Sequence, residues 1–334
     1  MSRVPSVLVA GASGYAGALA ARLIWRHPQF ELATITSRSE AGRPLSDVYP
    51  HHRVPLLMEE LDLERHGDVD AAIVAYPHGA AAPLVAELLE RGVRVVDLSA
   101  DFRLRDAAIY EQWYVSHPHP DLLERAVYGL TELNRQAIAG ADLVACPGCF
   151  PTAAILALAP LAEAGLLADV VIDAKTGVSG AGRGLREDTQ FVAVDENVKP
   201  YRVGAHRHMP ELDQELAALG APLRAAFTPH LVPLDQGELV SCYVTPTRPV
   251  SQEELELWFA ERYSGERFID LVTSPPGVRD VRETNICAIH VHADERTGKL
   301  FVFAAIDNLW KGTSSQAVAN LNLMFGLDEG TGIS

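Results

Sequence analysis

Hydrophobic positions in the first 145 residues alternate between short β-rich runs and longer segments with helical periodicity. A buried face repeats every second residue in a strand and about every 3.6 residues in a helix, so the runs predict strands and the segments predict helices. Because the strands are separated by helices, we expect a doubly wound, mostly parallel α/β sheet of the Rossmann type. The predicted strands are Val7–Ala10, Leu32–Thr36, Ala71–Tyr76, Val93–Leu98 and Leu143–Ala145, and the predicted helices are Ala16–Trp25 and Ala80–Glu90.

The pattern changes after Pro151. An apolar helix to about Ala164 is followed by longer strand-like stretches, the last two joined by a turn-rich loop that predicts a hairpin. This indicates an α+β domain on an antiparallel or mixed sheet. We expect two domains, 1–148 and 149–311, with a C-terminal helix at about 312–334 that returns to the first. The strand-like stretches are Val170–Lys175, Arg224–Val232, Leu239–Thr245, Ile286–His292 and Leu300–Ile306.

Composition narrows the class of protein. The chain has 334 residues, of which 48% are hydrophobic and 22% charged, which is typical of a folded protein of about two domains. The net charge of −16 argues against nucleic-acid and membrane partners, since many phosphate contacts need a basic face. A small anionic ligand remains compatible, because exposed charges act only over about 8 Å at physiological salt.

Neither the chain start nor the uncharged stretch 143–162 predicts a membrane segment. The start has the pattern of a first strand rather than a signal peptide. The uncharged stretch contains three prolines and a glycine, which predict a strand, a turn and a buried helix. Four cysteines are too few for a disulfide framework, so we expect a cytoplasmic protein.

A glycine-rich turn follows the first predicted strand directly and opens the first predicted helix. Glycines there allow a tight turn, a close approach of a pyrophosphate and close helix–strand packing, while the helix N-terminus offers N–H groups to the anion. The context predicts dinucleotide binding. The cofactor contacts expected in this turn are Gly11, Ser13, Gly14, Tyr15, Ala16 and Gly17.

The end of the second predicted strand distinguishes between the two nicotinamide cofactors. NAD enzymes usually place an acidic residue there to bind the ribose 2′-hydroxyl. This chain has Ser37 and Arg38 instead, with no acid before Glu40. A guanidinium matches the oxygens of a 2′-phosphate, so we expect NADP (NADPH) rather than NAD.

The stretch Cys146-Pro147-Gly148-Cys149 lies between a strand and a long apolar helix. A cysteine near a helix N-terminus has a lowered pKa, and its thiolate is the nucleophile needed to attack an acyl carbon. The spacing is also compatible with a dithiol redox site, with two buried structural cysteines and, weakly, with zinc. No second Cys-x-x-Cys pair exists, so we expect no metal.

A histidine- and arginine-rich span, residues 201–211, precedes a predicted helix start. Histidine transfers protons near neutral pH, so we expect His208 to act as acid/base, with His206 as the alternative and Glu211 as an orienting carboxylate. Further expected substrate contacts are Ser99, Arg103, Tyr201 and Arg207, although Arg103 is also explained by an ion pair with a nearby aspartate. Further expected cofactor contacts are Ser179, Gly180 and Asn308.

Several of these motifs occur together in one order: GASGYAG, DLSADFR, the stretch PGCFPT, HRHMPE and the terminal DNLWKG. In this combination the chain resembles the semialdehyde dehydrogenase superfamily and, within it, the family of N-acetyl-gamma-glutamyl-phosphate reductases. The resemblance runs from Val7 to about Gly326. It implies an NADPH-dependent reduction of a small acyl phosphate in arginine biosynthesis, with Cys149 as nucleophile, the HRH stretch as acid/base and homo-oligomers (dimers or tetramers).

Two positions depart from that family's usual pattern: Cys146, where asparagine is common, and Phe150, where tyrosine is common. A bridge between Cys146 and Cys149 would remove the nucleophile. The alternatives are aspartate-semialdehyde dehydrogenase, a reductase of carrier-bound aminoadipyl phosphate, and an NADP-sensing regulator on the same fold. The regulator would have no use for the cysteine and histidine together.

Overall fold

The computed structural model describes residues 3–333, and its chain divides into two compact units. The first unit contains the described residues up to Pro147 and those from Thr313 onward, and the second is Gly148–Gly312. Residues 1, 2 and 334, which the expected domain ranges include, lie outside the described residues.

The first unit is built on a seven-stranded sheet whose strands all run parallel, in the order β3-β2-β1-β4-β5-β7-β6. This confirms the predicted Rossmann-type fold. The central strands β1 and β4 are buried throughout and apolar except at Ser6, as expected for strands buried on both faces. The strands are β1 (Ser6–Ala10), β2 (Glu31–Thr36), β3 (Met58–Glu59), β4 (Ala71–Val74), β5 (Arg94–Asp97), β6 (Val127–Tyr128) and β7 (Leu143–Ala145).

Seven α-helices belong to the described part of this unit, and the C-terminal helix α11 packs against α1, α6 and β5. The helices are α1 (Tyr15–Trp25), α2 (Leu45–Val48), α3 (Leu63–His66), α4 (Ala82–Glu90), α5 (Ala107–Trp113), α6 (Thr131–Ala139) and α11 (Ser315–Met324). A π-helical turn, Trp310–Ser314, precedes α11 in the chain, which the periodicity did not predict.

The second unit is built on a seven-stranded mixed sheet in the order β12-β13-β14-β11-β8-β10-β9. The predicted hairpin is confirmed, since β13 and β14 pair antiparallel around the Asp294–Lys299 connection. Buried and more exposed residues alternate along β8, so helices cover one face of the sheet more fully than the other. The strands are β8 (Leu167–Thr176), β9 (Lys199–Pro200), β10 (Ala226–Leu231), β11 (Glu238–Pro246), β12 (Ile269–Leu271), β13 (Cys287–Asp294) and β14 (Lys299–Ile306).

Helix α7 is the centre of this second unit. It packs on β11 and β14, with α9 and α10 beside it, and all but its end residues are buried. Fifteen mostly alanine and leucine residues explain both its length and its burial. The helices are α7 (Cys149–Glu163), α8 (Phe191–Val194), α9 (Met209–Ala218) and α10 (Gln252–Arg262).

Candidate active site

The glycine-rich turn between β1 and α1 depends on backbone geometry. Gly11 has a φ of +87°, and a Cβ there would lie 2.5 Å from the carbonyl oxygen of Ala75. A Cβ on Gly17 would lie 2.3 Å from the carbonyl oxygen of Gly11, so only glycine lets α1 pack this closely on the turn. At Gly14, the N-cap of α1, a Cβ would meet only an ordinary contact at 3.7 Å. The outer side of the turn is therefore open at the helix N-terminus, where such folds bind a pyrophosphate.

Hydrogen bonds fix this turn to the end of β2. The N–H of Gly11 donates to the carbonyl oxygen of Thr36 at 3.0 Å. The hydroxyl of Ser37 donates to the hydroxyl oxygen of Ser13 at 2.8 Å. Both ends of the expected cofactor site therefore belong to one hydrogen-bonded structure. The expected contacts that are partly exposed around it are Gly11, Ser13, Gly14, Tyr15 and Ala16.

Arg38 gives this site its charge. Its side chain is exposed directly after β2, with the guanidinium carbon 5.7 Å from the centre of the Tyr76 ring. The nearest following acid, Glu40, forms an ion pair with Arg43 at 2.6 Å. An exposed guanidinium stacked on an aromatic ring fits a 2′-phosphate better than a ribose hydroxyl, and the residues present therefore fit NADP.

The DLSADFR stretch organises the carboxyl end of β5. Ser99 is fully buried, and its hydroxyl donates to Asp97 at 2.7 Å and accepts the N–H of Asp101 at 3.0 Å. Arg103 is also buried and donates its Nε to the carbonyl oxygen of Cys146 at 2.7 Å. Burial raises the pKa of Asp97 to about 7. These hydrogen bonds show that Ser99 and Arg103 stabilise the chain around the ends of β5 and β7. Their substrate-binding roles stay predictions.

Cys146 is buried at the end of β7. Its sulfur accepts a hydrogen bond from the side-chain amide of Asn320 at 3.3 Å. All four cysteines lie within the described residues, and each carries a thiol rather than a disulfide. A regulatory bridge between Cys146 and Cys149 stays a prediction.

Cys149 is the first residue of α7, and Gly148 is its N-cap. The thiol therefore lies at the positive end of a fifteen-residue helix, which favours the thiolate form. A Cβ on Gly312 would lie 2.8 Å from the Cβ of Cys149, so glycine is needed for this segment to pass so close to the cysteine. Cys149 is only partly buried, as a nucleophile must be.

Gly148 brings His208 to the same helix end. A Cβ on Gly148 would lie 2.4 Å from the Nε2 of His208, so the imidazole rests against the backbone just before Cys149. The N–H of Gly148 donates to the Oε1 of Glu211, in the first turn of α9, at 2.8 Å. The structure thus brings Cys149, His208 and Glu211 to one helix end, and the catalytic roles expected of them stay predictions.

His206 occupies a more enclosed position. It is buried among Phe150, Tyr201 and Phe227, with ring centres 5.3–5.6 Å apart. Its Nδ1 accepts the backbone N–H of His208 at 3.1 Å. Burial, with a smaller effect from nearby arginines, lowers the pKa of His206 to about 4. His206 is therefore neutral at physiological pH and supports His208.

Tyr201 and Glu238 lie in the electrostatic surroundings of the Cys149 thiol. Burial raises the pKa of Tyr201, with a smaller effect from Cys149. Arg207, in the same span as Tyr201, is partly exposed. Glu238, the first residue of β11, is fully buried, and burial raises its pKa to about 8 against the effect of hydrogen bonding with Cys149 and Thr176. Glu238 was not predicted from the sequence. The local signal that could have indicated a special role is a carboxylate placed between Gly237 and an apolar strand.

Ser179, Gly180 and Asn308 form a separate group in this unit. The side-chain amide of Asn308 donates to the hydroxyl of Ser179 at 3.1 Å and accepts the N–H of Gly237 at 2.7 Å. Asn308 thereby joins the start of β11 to the turn Val178–Ala181, in which Gly180 is exposed. Their roles as cofactor contacts stay predictions.

Residues 3–333 contain no group of three or more His, Cys, Asp and Glu side chains arranged to hold a metal ion. Nor does this part of the chain contain a helix with the length and apolar character required to cross a membrane.

Two family models match the chain, one in each unit. Residues 6–141 match the model described as semialdehyde dehydrogenase, NAD binding domain. Residues 149–308 match the one described as semialdehyde dehydrogenase, dimerisation domain.

Curated relatives match over nearly the whole length. A protein named N-acetyl-gamma-glutamyl-phosphate reductase from Desulforudis audaxviator is 50% identical, with 97% of this chain and 96% of that protein covered. Proteins of the same name from Moorella thermoacetica and Geobacter sulfurreducens are 47% and 46% identical, with at least 95% of either chain covered.

Solved structures agree on the fold. A structure of aspartate semialdehyde dehydrogenase II from Vibrio cholerae complexed with ASA aligns with a TM-score of 0.75 at 18% identity, covering 97% of this chain and 99% of that one. The enzyme from Candida albicans with NADP aligns with a TM-score of 0.68 at 16% identity, covering 97% and 99%. The resemblance that the motifs predicted is confirmed: the chain belongs to the semialdehyde dehydrogenase family and, within it, to the N-acetyl-gamma-glutamyl-phosphate reductases.

Proposed function

We propose that this NADP-dependent oxidoreductase reduces N-acetyl-L-glutamyl 5-phosphate to N-acetyl-L-glutamate 5-semialdehyde and phosphate, a step of arginine biosynthesis, through a thioester on Cys149. The relatives named above support the substrate and the pathway. The observation that carries the mechanism is the α7 N-terminus, where the absence of a side chain on Gly148 lets His208 and Cys149 share one helix end.

The cofactor would be held by the first unit. NADPH supplies a hydride when bound. The open turn at Gly14 would receive its pyrophosphate through backbone N–H groups, and Arg38 would pair with its 2′-phosphate. Ser37, whose hydroxyl already contacts Ser13, lies between these two anchors.

Acylation takes place on the second unit. The Cys149 thiolate attacks the acyl carbon, the sulfur–carbon bond forms and the bond to phosphate breaks. Since Pro151 has no N–H, the backbone donors that the first turn of α7 offers to the developing oxyanion are those of Cys149 and Phe150. Reduction of the thioester gives a thiohemiacetal, whose collapse releases the aldehyde and the thiolate.

Proton transfer is assigned to His208. Its ring lies against Gly148, one residue from the nucleophile, and its backbone N–H donates to the Nδ1 of His206. His206, with a pKa of about 4, is a poor proton donor at neutral pH. Tyr201 and Arg207 would contact the anionic substrate from the same span, and Ser99 and Arg103 stay candidates in the first unit.

We infer that copies of this chain assemble through the second unit, as dimers or tetramers. The segment from Leu185 to Val203 exposes five large apolar side chains, more than a surface loop of a monomer usually shows. The matching family model is described as a dimerisation domain, which supports this assignment. We expect the assembly in the cytoplasm, where thiols stay reduced. The five are Leu185, Phe191, Val192, Val198 and Val203.

The test is phosphate-dependent reduction of NADP by the purified chain, with N-acetylglutamate semialdehyde as substrate. We expect activity with this aldehyde that requires phosphate, and much less activity with aspartate semialdehyde and with longer homologues. A preference for aspartate semialdehyde, or cofactor binding with no aldehyde oxidation, would contradict the proposal and favour the alternative dehydrogenase or a regulator.

A further inference from the structure

The segment 43–58, between β2 and β3, folds back on itself beside the glycine-rich turn 11–17, the phosphate turn. The N–H of Met58 donates to the carbonyl oxygen of Arg43 at 2.9 Å. The N–H of Leu45 donates to the carbonyl oxygen of Leu56 at 2.9 Å, and the side chain of Leu45 is fully buried. Backbone hydrogen bonds and burial therefore hold this segment in the first unit, together with the side chains that it carries.

Tyr49 is the residue of this segment that contacts the phosphate turn. Its hydroxyl donates to the carbonyl oxygen of Ser13 at 2.9 Å. Its ring lies edge-on to the ring of Tyr15, with the ring centres 6.2 Å apart. Tyr49 is buried, so the Ser13 carbonyl points towards the interior of the unit. A buried hydroxyl that donates to a main-chain carbonyl fixes the direction of that carbonyl.

His52 connects Tyr49 to helix α1. The imidazole is stacked on the Tyr49 ring, with the ring centres 5.2 Å apart. Its Nδ1 donates to the carbonyl oxygen of Ala18, in α1, at 3.1 Å. Burial lowers the pKa of His52 to about 4, so the ring is uncharged at neutral pH. Tyr49 is therefore packed on a neutral ring that is itself hydrogen-bonded to the helix.

The peptide that joins Ser13 to Gly14 is held at both of its polar groups. The N–H of Gly14 donates to the carbonyl oxygen of Gly11 at 3.2 Å, and the oxygen of Ser13 accepts from Tyr49. Glycine adopts either sign of φ, so Gly14 itself adds little restraint on this peptide. A carbonyl turned to the open side would repel a pyrophosphate, whereas the N–H groups in the first turn of a helix attract it.

We propose that Tyr49 is a positioning residue for the cofactor: its hydroxyl keeps the Ser13 carbonyl turned away from the pyrophosphate, so that the N–H groups of the first turn of α1 face the anion. The inference rests on the proposed placement of the pyrophosphate at the phosphate turn. Tyr49 acts on the pyrophosphate end of the adenosine half of the cofactor, whereas Arg38 acts on the 2′-phosphate.

The experiment compares two ligands that differ in the pyrophosphate. The dissociation constant of NADPH is measured by fluorescence titration, and that of adenosine 2′-monophosphate by competition against NADPH. Adenosine 2′-monophosphate carries the phosphate that Arg38 would bind but has no pyrophosphate. The proteins are wild type, Tyr49→Phe, Gly17→Ala and Tyr263→Phe. Tyr263 is the matched control, because its buried hydroxyl also donates to a main-chain carbonyl, that of Leu156, in the second unit.

We expect the dissociation constant of NADPH to rise by about 3- to 10-fold in Tyr49→Phe, which keeps the ring and loses one hydrogen bond between neutral groups. The constant of adenosine 2′-monophosphate should stay within about 1.5-fold, because this ligand does not reach the phosphate turn. Tyr263→Phe should match wild type with both ligands, and Gly17→Ala should weaken the binding of NADPH.

NADPH binding by Tyr49→Phe within about 1.5-fold of wild type, with weakened binding in Gly17→Ala, would overturn the role of Tyr49. Equal losses of affinity for both ligands in Tyr49→Phe, or an equal loss in Tyr263→Phe, would do so as well, since they would indicate a general effect of removing a buried hydroxyl. Unchanged NADPH affinity in Gly17→Ala would instead overturn the placement of the pyrophosphate at this turn, which separates the two failures.

Discussion

The phosphate turn of the first unit and the thiol site of the second are assembled in different ways. Seven consecutive residues, 11–17, make the turn, and its function rests on backbone conformation at two glycines. The thiol site combines Cys149, His208 and Gly312, which come from three distant segments. A local backbone site is visible in the sequence, whereas an assembled side-chain site is visible only in part.

Removing the sulfur should separate the two sites most strongly. In Cys149→Ser the hydroxyl is a far weaker nucleophile, so we expect turnover to fall by at least about 10³-fold. The dissociation constant of NADPH, measured by fluorescence titration, should stay within about twofold, because the first unit is unchanged. Normal turnover, or a loss of cofactor affinity as large as the loss of turnover, would contradict the assignment of the two functions to separate units.

Adding one methyl group to each site should give opposite results. Gly148→Ala places a Cβ where the Nε2 of His208 lies, so we expect kcat to fall by about 10²-fold with unchanged NADPH affinity. Gly17→Ala, the matched variant in the first unit, drives a Cβ against the Gly11 carbonyl and should weaken NADPH binding instead. Steady-state kinetics and cofactor titration on both variants check this. Equal effects of the two variants on kcat would contradict it.

Arg38→Ala should change the cofactor preference of the first unit. Losing a charged contact to the 2′-phosphate costs about 1.5–3 kcal/mol, so the preference for NADPH over NADH should fall by about 10- to 100-fold. The control is Arg43→Ala, an exposed arginine paired with Glu40. An unchanged cofactor preference in Arg38→Ala would place the 2′-phosphate elsewhere.

The smallest expected effect is on the pH dependence of the free energy of unfolding. The folded protein keeps His206 neutral down to about pH 4, whereas the unfolded chain binds a proton below about 6.5. The stability due to this residue is therefore present above pH 6.5 and is lost as the pH falls towards 4. In His206→Asn, which keeps an acceptor for the His208 N–H, the loss should be smaller by about 2–3 kcal/mol. Thermal unfolding of both proteins across this range is the measurement, and parallel curves would contradict the assignment.

Much of the fold was predictable because its strands are apolar and their helices amphipathic, both local properties. The predicted strand Leu143–Ala145 coincides with β7, while Ala71–Tyr76 extends two residues beyond β4. Strands of two or three residues, such as β3 and β9, carry too few side chains to show a period. Their place in the sheet depends on hydrogen bonds to partners far along the chain.

The candidate site also contains residues that the sequence indicates and residues that it does not. Cys149 and His208 could be named from the sequence because a thiol and an imidazole are reactive groups in any fold. Glu238 was missed because its burial depends on β8 and β14 on either side, which no local pattern reveals. The glycines at 148 and 312 were likewise unremarkable in the sequence, and their importance comes from the side chains that lie against them.

Mass spectrometry of the protein after mixing with N-acetylglutamyl phosphate, without reduced cofactor, tests whether the acyl group is transferred to Cys149. We predict a single acyl group on the peptide that contains Cys149, lost when NADPH is added and aldehyde appears. An unmodified Cys149, under conditions in which the same preparation goes on to form aldehyde, would contradict the account.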